Sequence, residues 1–208
     1  MVVVESKGLR ERKKQKTRAT IVEVALELFA ENGYQQTTIA QIADAADVSP
    51  RTVSTYFPAK EAIVFDISVE SRERLAHRIR SRPAGQDTMD ALRDWVLDER
   101  ERWNENEAQL ICQRQVIDGD EGLTAYQRAQ LREFEFLIAE GLAVDLGVEP
   151  DDLGPRMAAA AAVAVFDLLG DEHDSARIPS REEQLRILDQ ALAFVTGGVS
   201  SMRAARSS

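Results

Sequence analysis

Apolar residues recur at helical spacing near the beginning of the chain. Within residues 10–31 they fall at positions i, i+4, i+7 and i+8, which is the pattern of one buried helix face. The members of this face are Ile21, Ala25, Leu28 and Phe29. Gly33 follows, and glycine commonly ends a helix because it adopts the left-handed conformation without strain. The pattern predicts one helix over residues 10–31.

Two shorter helices are predicted after this one. Thr38 precedes a short apolar repeat and can cap it with its hydroxyl group, which predicts a helix of about two turns that ends at Asp47. Ser49 can cap the next helix in the same way. Pro50 then occupies the first helical position, where its missing backbone N–H costs nothing. A tight turn therefore joins two short helices.

The outer face of the third helix is polar and carries small side chains. At 100° per residue, Val53 and Phe57 lie together on the inner side of the helix, and Arg51 lies on the opposite side. Small hydroxyl residues surround this arginine, and they are Thr52, Ser54 and Thr55. Because long side chains would hold the helix away from a binding partner, this face predicts a close contact.

Two short helices joined by a tight turn form a shape that enters the major groove of DNA. Arg51 can donate two hydrogen bonds to guanine O6 and N7, and the hydroxyl groups can contact base edges or a thymine methyl group. The helix N-terminus at Ser49 adds an affinity for anions such as phosphate. The sequence therefore predicts a DNA-reading surface on the third helix.

Apolar spacing predicts further helices in the rest of the chain. They cover residues 60–82, 88–104, 105–117, 122–146, 150–169 and 181–195. The intervening segments and the terminal segment 196–208 are rich in Gly, Pro, Asp and Ser, so they are predicted loops. The predicted fold class is all-α, with a three-helix DNA-binding domain at residues 1–63 and a larger helical domain at residues 64–208.

The charge distribution changes what the net charge implies. A formal charge of −10 over 208 residues argues against a nucleic-acid partner when it is taken whole. Residues 1–60, however, carry nine Lys or Arg against seven Asp or Glu, whereas the remaining residues carry 17 against 29. The basic residues concentrate in the first 18 positions, as Lys7, Arg10, Arg12, Lys13, Lys14, Lys16 and Arg18. A solvated tail and a DNA-contacting arm that reaches a minor groove are both compatible with this segment.

The segment TTIAQIADAADVSPRTVSTYFPAKEAI, residues 37–63, is similar to the helix-turn-helix signature of the TetR family of bacterial transcriptional regulators. The resemblance implies phosphate contacts from Thr38, Ser49, Tyr56 and Lys60. It implies base contacts from Arg51, Thr52 and Thr55. Two residues depart from the family pattern: Asp47 stands where glycine is most frequent, and Ser54 stands where an aromatic residue is frequent. Because Asp tolerates the left-handed conformation better than most residues, we expect the turn to persist.

The same resemblance implies that the larger domain binds a small-molecule effector and forms a homodimer. The candidate pocket residues are Trp95, Glu99, Trp103, Tyr126 and Phe134. Core packing is the alternative role for each of them. The alanine-rich helix at 157–169 and the stripe that follows it, Leu185, Leu188, Leu192 and Val195, suit a four-helix bundle between two chains. The same stripe could instead complete the core of one chain.

Other classes of function receive little support from the sequence. His77 and His173 lie far apart, and the sequence contains no metalloprotease, serine-hydrolase or phosphate-loop motif, so we expect no catalytic residues, metal site or cofactor. Cys112 is the one cysteine, which excludes a disulfide within the chain and suits a cytoplasmic location. Without a signal peptide or an apolar run that spans a bilayer, no membrane partner is expected.

The sequence thus predicts a ligand-responsive transcriptional repressor. In this hypothesis a homodimer binds a palindromic double-stranded DNA operator and a small-molecule effector releases it. The alternative is an all-helical dimeric binding or scaffold module without sequence-specific DNA binding, which has no use for the basic segment or for the face that surrounds Arg51.

Overall fold

The computed structural model describes residues 8–170 and 181–206, which form ten α-helices and no strand. The helices are α1 (Leu9–Asn32), α2 (Ile39–Ala45), α3 (Pro50–Tyr56), α4 (Lys60–Val64), α5 (Asp66–Arg80), α6 (Thr88–Glu105), α7 (Glu107–Asp118), α8 (Glu121–Leu146), α9 (Leu153–Gly170) and α10 (Arg181–Arg206). The predicted all-α class is confirmed. Among the described residues, no helix is both long enough and apolar enough to cross a membrane.

The described residues group into two compact units. The head unit contains residues 8–70 and 102–127, and the body unit contains residues 71–101, 128–170 and 181–206. These units are groups of contacting residues, whereas the predicted boundary at residue 63 separates functions. That boundary therefore stays a prediction.

The head unit has a core built on α1. Its buried side chains are Ile21, Val22, Ala25, Leu26 and Phe29. Leu28, predicted on the same face, is only half-buried because it lies at the edge of the face. The neighbours in this core come from α2, α3 and α4, and also from α7 and α8 through Val116, Ile117 and Leu123. The packing of α7 against the N-terminal helices was not predicted from the sequence.

The predicted helix over residues 60–82 is wrong, because it is divided into α4 and α5. Phe65 lies between them with φ −97° and ψ 15°, outside regular helical geometry. Its ring is buried and packs against Tyr126, with 4.8 Å between the ring centroids. Burial of this large side chain in the head unit therefore accompanies a break that the apolar spacing of the segment did not indicate.

The body unit has a core in which α10 packs along α9. Val195 and Val199, four residues apart on α10, are buried in the same cluster as Ala159 and Val163 of α9. Val195 thus completes the core of its own chain, which was the alternative to a dimer contact. The side chains of the other members of the predicted stripe, Leu185, Leu188 and Leu192, lie outside the described residues.

The terminal loop predicted after residue 195 is wrong, because α10 continues to Arg206. Gly197 and Gly198 lie inside this helix, where each glycine costs about 1 kcal/mol relative to alanine. Val199 is buried and Met202 is partly buried, and both continue the apolar stripe past the glycines. Burial of these side chains offsets the poor helix propensity of the two glycines. This burial cannot be deduced from the neighbouring residues in the sequence.

Candidate nucleic-acid interface

The turn between α2 and α3 has the geometry of a helix-turn-helix. The backbone N–H of Val48 donates to the Ala43 carbonyl oxygen at 2.9 Å, and this bond closes the end of α2. Asp47 adopts a positive φ of 52°, in the left-handed region. The prediction that aspartate would take this conformation in place of glycine is confirmed. The turn directs the chain straight from α2 into the N-cap of α3.

Both helices of the motif are capped by the predicted hydroxyl residues. Thr38 accepts the backbone N–H of Gln41 at 3.3 Å, and the Gln41 side chain accepts the backbone N–H of Thr38 at 2.8 Å, which completes a capping box. Ser49 accepts the backbone N–H of Thr52 at 3.1 Å. Its hydroxyl also lies 2.8 Å from the Thr52 hydroxyl. The hydroxyl groups of Thr38 and Ser49 therefore fix the starts of α2 and α3.

The predicted recognition surface is the outer face of α3. Val53 and Phe57 are buried in the head-unit core, as predicted, and this fixes which side of α3 faces outward. The residues exposed on the other side include Arg51, Ser54 and Thr55. Arg51 thus projects its guanidinium group from a short helix that is capped at its start and held from behind by buried apolar side chains.

Thr55 presents a defined chemistry to a partner. Its hydroxyl donates to the Arg51 carbonyl oxygen at 2.8 Å, so its hydrogen is used within α3. The oxygen lone pairs and the methyl group remain available on the exposed side. Such a residue can accept a hydrogen bond from an adenine or cytosine amino group, or contact a thymine methyl group.

Tyr56 and Lys60 lie at the end of α3 and the start of α4. Tyr56 is half-buried, and its ring is tilted against the ring of Phe57. The Lys60 ammonium donates to the carbonyl oxygens of Tyr34 and Thr37, at 2.7 and 3.1 Å. It also lies 4.1 Å from the centroid of the Tyr34 ring. Lys60 therefore holds the loop between α1 and α2, and one of its three N–H donors remains for the predicted phosphate contact.

Arg18 connects α1 with the end of α3. Its Nη1 donates to the Tyr56 carbonyl oxygen at 3.4 Å, and its guanidinium carbon lies 4.6 Å from the centroid of the Phe57 ring. Its Nε donates to Asp66 at 2.9 Å, so the same side chain also reaches the first residue of α5. No local pattern indicates this role, because the partners lie 38 and 48 residues away.

A helix from the later part of the chain also holds the head unit together. Gln113 of α7 donates to the Val64 carbonyl oxygen at 2.5 Å, next to the break between α4 and α5. Gln35 donates to Asp120 at 2.7 Å, and this hydrogen bond is the main reason that the pKa of Asp120 is lowered. These contacts tie α7 and the turn after it to α4 and to the loop between α1 and α2.

Two matches to protein families cover most of the chain. Residues 21–67 match the bacterial regulatory proteins of the tetR family, and residues 86–200 match the MftR C-terminal domain. The transcriptional regulator TcmR of Streptomyces glaucescens is 32% identical over 186 residues, which are 86% of this chain and 78% of TcmR. The chain belongs to the TetR family.

Two solved structures have the same fold. NalD from Pseudomonas aeruginosa superposes with a TM-score of 0.58 at 23% identity. The match covers 88% of this chain and 96% of the NalD chain. SmeT, solved in a complex with triclosan, gives a TM-score of 0.57 at 21% identity. The match covers 86% of this chain and 90% of the SmeT chain. Each match therefore covers most of this chain, including the N-terminal helix-turn-helix and the larger helical domain.

Membership of the TetR family decides the class of function. The chain is a ligand-responsive, DNA-binding transcriptional regulator and not an enzyme. Its partners are operator DNA, a small-molecule effector and a second copy of itself. The scaffold alternative, in which the chain does not bind specific DNA, is therefore rejected.

Three of the residues predicted for the TetR effector pocket lie in the body unit. Trp95 is buried, its Nε1 donates to the Ser71 carbonyl oxygen at 3.1 Å, and its ring centroid lies 6.1 Å from that of Phe134. Glu99 is buried and accepts hydrogen bonds from the Ser71 hydroxyl at 2.7 Å and from Arg74 Nη2 at 2.8 Å. The charge of Glu99 is therefore compensated within the protein.

The other two predicted pocket residues, Trp103 and Tyr126, lie in the head unit. Tyr126 is 36% exposed, and its ring packs against Phe65. The five residues thus divide between two units, with Trp95 and Phe134 brought together. Their role in binding an effector stays a prediction.

Proposed function

We propose that this TetR-family regulator is a repressor that occupies a palindromic operator as a homodimer and leaves it when an effector binds. The observation that carries the proposal is the outer face of α3, where Arg51 is exposed among small hydroxyl residues on a capped helix. A dimer that occupies the major groove excludes other proteins from the same DNA. Repression therefore needs no contact surface beyond the one that binds the operator.

The residues of the interface divide into two roles in this proposal. Arg51 donates to guanine O6 and N7, and Thr55, with its hydroxyl hydrogen used by α3, reads a base amino group or a thymine methyl group. Ser54 and Thr52 add contacts at the edges of the bases. Phosphates are held by the remaining predicted residues, which are Thr38, Ser49, Tyr56 and Lys60.

An exposed apolar surface supports a dimer through α9 and α10. Leu153 and Met157 of α9 are 70% and 60% exposed in the single chain, and Phe194 of α10 is 80% exposed. Ala160 and Ala164 are exposed as well and continue the spacing of Leu153 and Met157 along one face of α9, where their small side chains permit a close approach of another helix. Large apolar side chains are rarely left in water together, so the same helices of a second copy cover them in a four-helix bundle.

Dimerisation sets the geometry of the operator. Two copies of α3 in successive major grooves on one side of the duplex are separated by about 34 Å or a multiple of it, which gives two symmetric half-sites. An effector that favours an arrangement with another separation weakens binding by its differential affinity, typically about 1–3 kcal/mol. The protein works in the cytoplasm, where its DNA is located and where Cys112 stays reduced.

An in vitro selection from random duplex DNA at near-physiological salt tests this proposal. The wild-type protein is expected to enrich a palindrome, and Arg51→Ala is expected to lose preference at one symmetric pair of positions. Arg80→Ala is the matched control, because Arg80 is an exposed arginine at the end of α5. A wild-type protein that enriches no sequence, with or without added cell extract, would contradict the proposal.

A further inference from the structure

The first turns of α1 carry a basic surface that the proposed recognition helix does not use. Its members, which we call the basic turns, are Arg10, Arg12, Lys13, Lys14 and Lys16, and all of them are exposed. Glu11 is the one acidic residue among residues 9–18. The whole chain has a net charge of −10, so this segment is positively charged although the chain as a whole is negative.

The basic turns are part of a continuous helix, not of an extended tail. α1 begins at Leu9 and is continuous to Asn32. Arg10 and Lys14 lie on the same side of the helix as Ile21 and Ala25, because their spacing of 11 residues corresponds to about three turns. Ile21 and Ala25 are buried whereas Arg10 and Lys14 are exposed. The N-terminal turns of α1 therefore extend beyond the core of the head unit.

The point at which α1 leaves the core lies beside the end of α3. Arg18 donates to the carbonyl oxygen of Tyr56, the last residue of α3. From Arg18 to Arg10 the helix rises by about 12 Å. Duplex DNA carries one phosphate charge per about 1.7 Å of its axis. A duplex bound to the outer face of α3 therefore has several phosphates within the length of the basic turns.

We propose that the basic turns bind the phosphate backbone of the duplex immediately outside each half-site. This inference rests on the proposed function, because it places the DNA on the outer face of α3. Three of the five cations are lysines, which are point charges on flexible stems and suit phosphate better than base edges. The contacts are consequently independent of the flanking sequence, and they counteract the repulsion between the acidic chain and DNA.

The test compares two triple variants on two duplexes. Lys13→Gln, Lys14→Gln and Lys16→Gln are combined in one full-length protein, and the control protein combines Arg80→Gln, Arg128→Gln and Arg132→Gln, which are exposed residues of α5 and α8. Both proteins lose three positive charges. Each is titrated, over a range of salt concentrations, on the selected palindrome alone and on the palindrome with about eight base pairs added at each end, a length chosen to cover the rise of the basic turns.

Wild type and the control are expected to bind the longer duplex more tightly than the short one, and the lysine variant, which keeps Arg10 and Arg12, is expected to lose most of this difference. The slope of log K against log salt should fall in magnitude by roughly 0.9 for each phosphate that the variant no longer neutralises, which is up to about 5 for three lysines in each protomer. Scrambling the added sequence should change nothing. Equal salt slopes for the lysine variant and the control would overturn the inference. An affinity that depends on the added sequence would show base reading in place of phosphate binding, and this result would overturn it as well.

Failure of the proposed function has a different signature. If the wild type selects no palindrome, the repressor proposal fails, and the two variants are compared on duplex DNA of random sequence. A lysine variant that keeps the salt slope of the control there rejects the basic turns as a phosphate-binding surface, and a reduced slope supports them.

Discussion

Arg18 and Asp66 form an ion pair within the head unit, although 48 residues separate them in the sequence. Their side chains are 32% and 9% exposed, so the carboxylate is largely withdrawn from water while the guanidinium stays accessible at its edge. Arg18 also contacts the last residue of α3, and Asp66 is the first residue of α5. The pair thus fixes the end of α3 against the start of α5.

Loss of this pair should destabilise the protein. Arg18→Ala leaves the Asp66 carboxylate buried without its cation, and we expect the free energy of unfolding to fall by about 1–2 kcal/mol, a value reduced for the partial exposure of Arg18. Urea denaturation measures the change. Lys16→Ala, at an exposed position of the same helix, should change stability by less than about 0.5 kcal/mol. Equal effects of the two substitutions would show that the pair contributes nothing to stability.

Substitutions of Ser49 and Thr55 should distinguish an effect on folding from an effect on DNA recognition. Ser49→Ala removes the N-cap of α3 and should lower the free energy of unfolding by about 1 kcal/mol. Thr55→Ala removes a hydroxyl that bonds within its own helix, and we expect a stability change within about 0.5 kcal/mol but an altered base preference in the DNA selection. Thermal denaturation without DNA and selection with DNA are the two measurements. If Thr55→Ala selects the same operator as wild type, Thr55 does not read bases.

Asp47 should tolerate glycine and reject β-branched residues. Its φ of 52° lies in the left-handed region, which costs a side-chain-bearing residue about 1–2 kcal/mol and glycine almost nothing. Asp47→Gly should therefore stay within about 1 kcal/mol of wild type, since the gain in the folded state opposes the greater freedom of the unfolded chain. Asp47→Val should destabilise by about 1–2 kcal/mol. Asp44→Val, at an exposed position of α2, controls for the change in polarity, and an equally large loss there would exclude the backbone explanation.

Cys112 should react slowly with alkylating reagents while the protein is folded. Burial, followed by the negative charge of Glu27, raises the pKa of the Cys112 thiol above its ordinary value. Its Sγ also donates to the Leu26 carbonyl oxygen at 3.3 Å. The thiolate, not the thiol, displaces iodide from iodoacetamide, so the reaction at pH 8 should be several-fold slower in the folded protein than in urea. Equal rates in the two states would contradict the raised pKa.

The raised pKa of Cys112 also affects the stability of the protein at alkaline pH. The folded thiol has a higher pKa than the unfolded thiol, so the folded state holds its proton more tightly. Its contribution to stability is complete below the unfolded pKa, near 8.5, and is lost as the pH rises through the folded pKa. The loss of stability between pH 8 and pH 10 should accordingly be smaller in Cys112→Ala than in wild type.

Local signals in the sequence predicted the starts of α2 and α3 accurately. Hydroxyl caps at Thr38 and Ser49, Pro50 at a first helical position and the two buried residues of α3 depend on neighbours within a few residues, and each has the predicted place in the structure. Such short-range geometry can be read directly from residue order. The family resemblance extended over the same segment.

Contacts between distant segments were not accessible in this way. The bond from Gln113 to the Val64 carbonyl oxygen and the pair of Arg18 with Asp66 join residues 49 and 48 positions apart, and no local pattern indicates them. Lys60 looks like a surface cation in the sequence, yet two carbonyl oxygens and an aromatic ring hold it in place. The continuation of α10 through Gly197 likewise depends on burial against α9. Tertiary packing decided each of these features.

Operator recognition in this proposal depends above all on Arg51, which reads a guanine in each half-site. The most direct measurement is a double-mutant cycle in which Arg51→Ala is combined with replacement of that guanine by 7-deazaguanine in the selected operator, with binding free energies measured for all four pairs. We expect the modified base to weaken binding by wild type and to leave Arg51→Ala unaffected, with a coupling energy of about 1–3 kcal/mol per half-site. A coupling energy of zero at every guanine of the half-site would contradict base reading by Arg51.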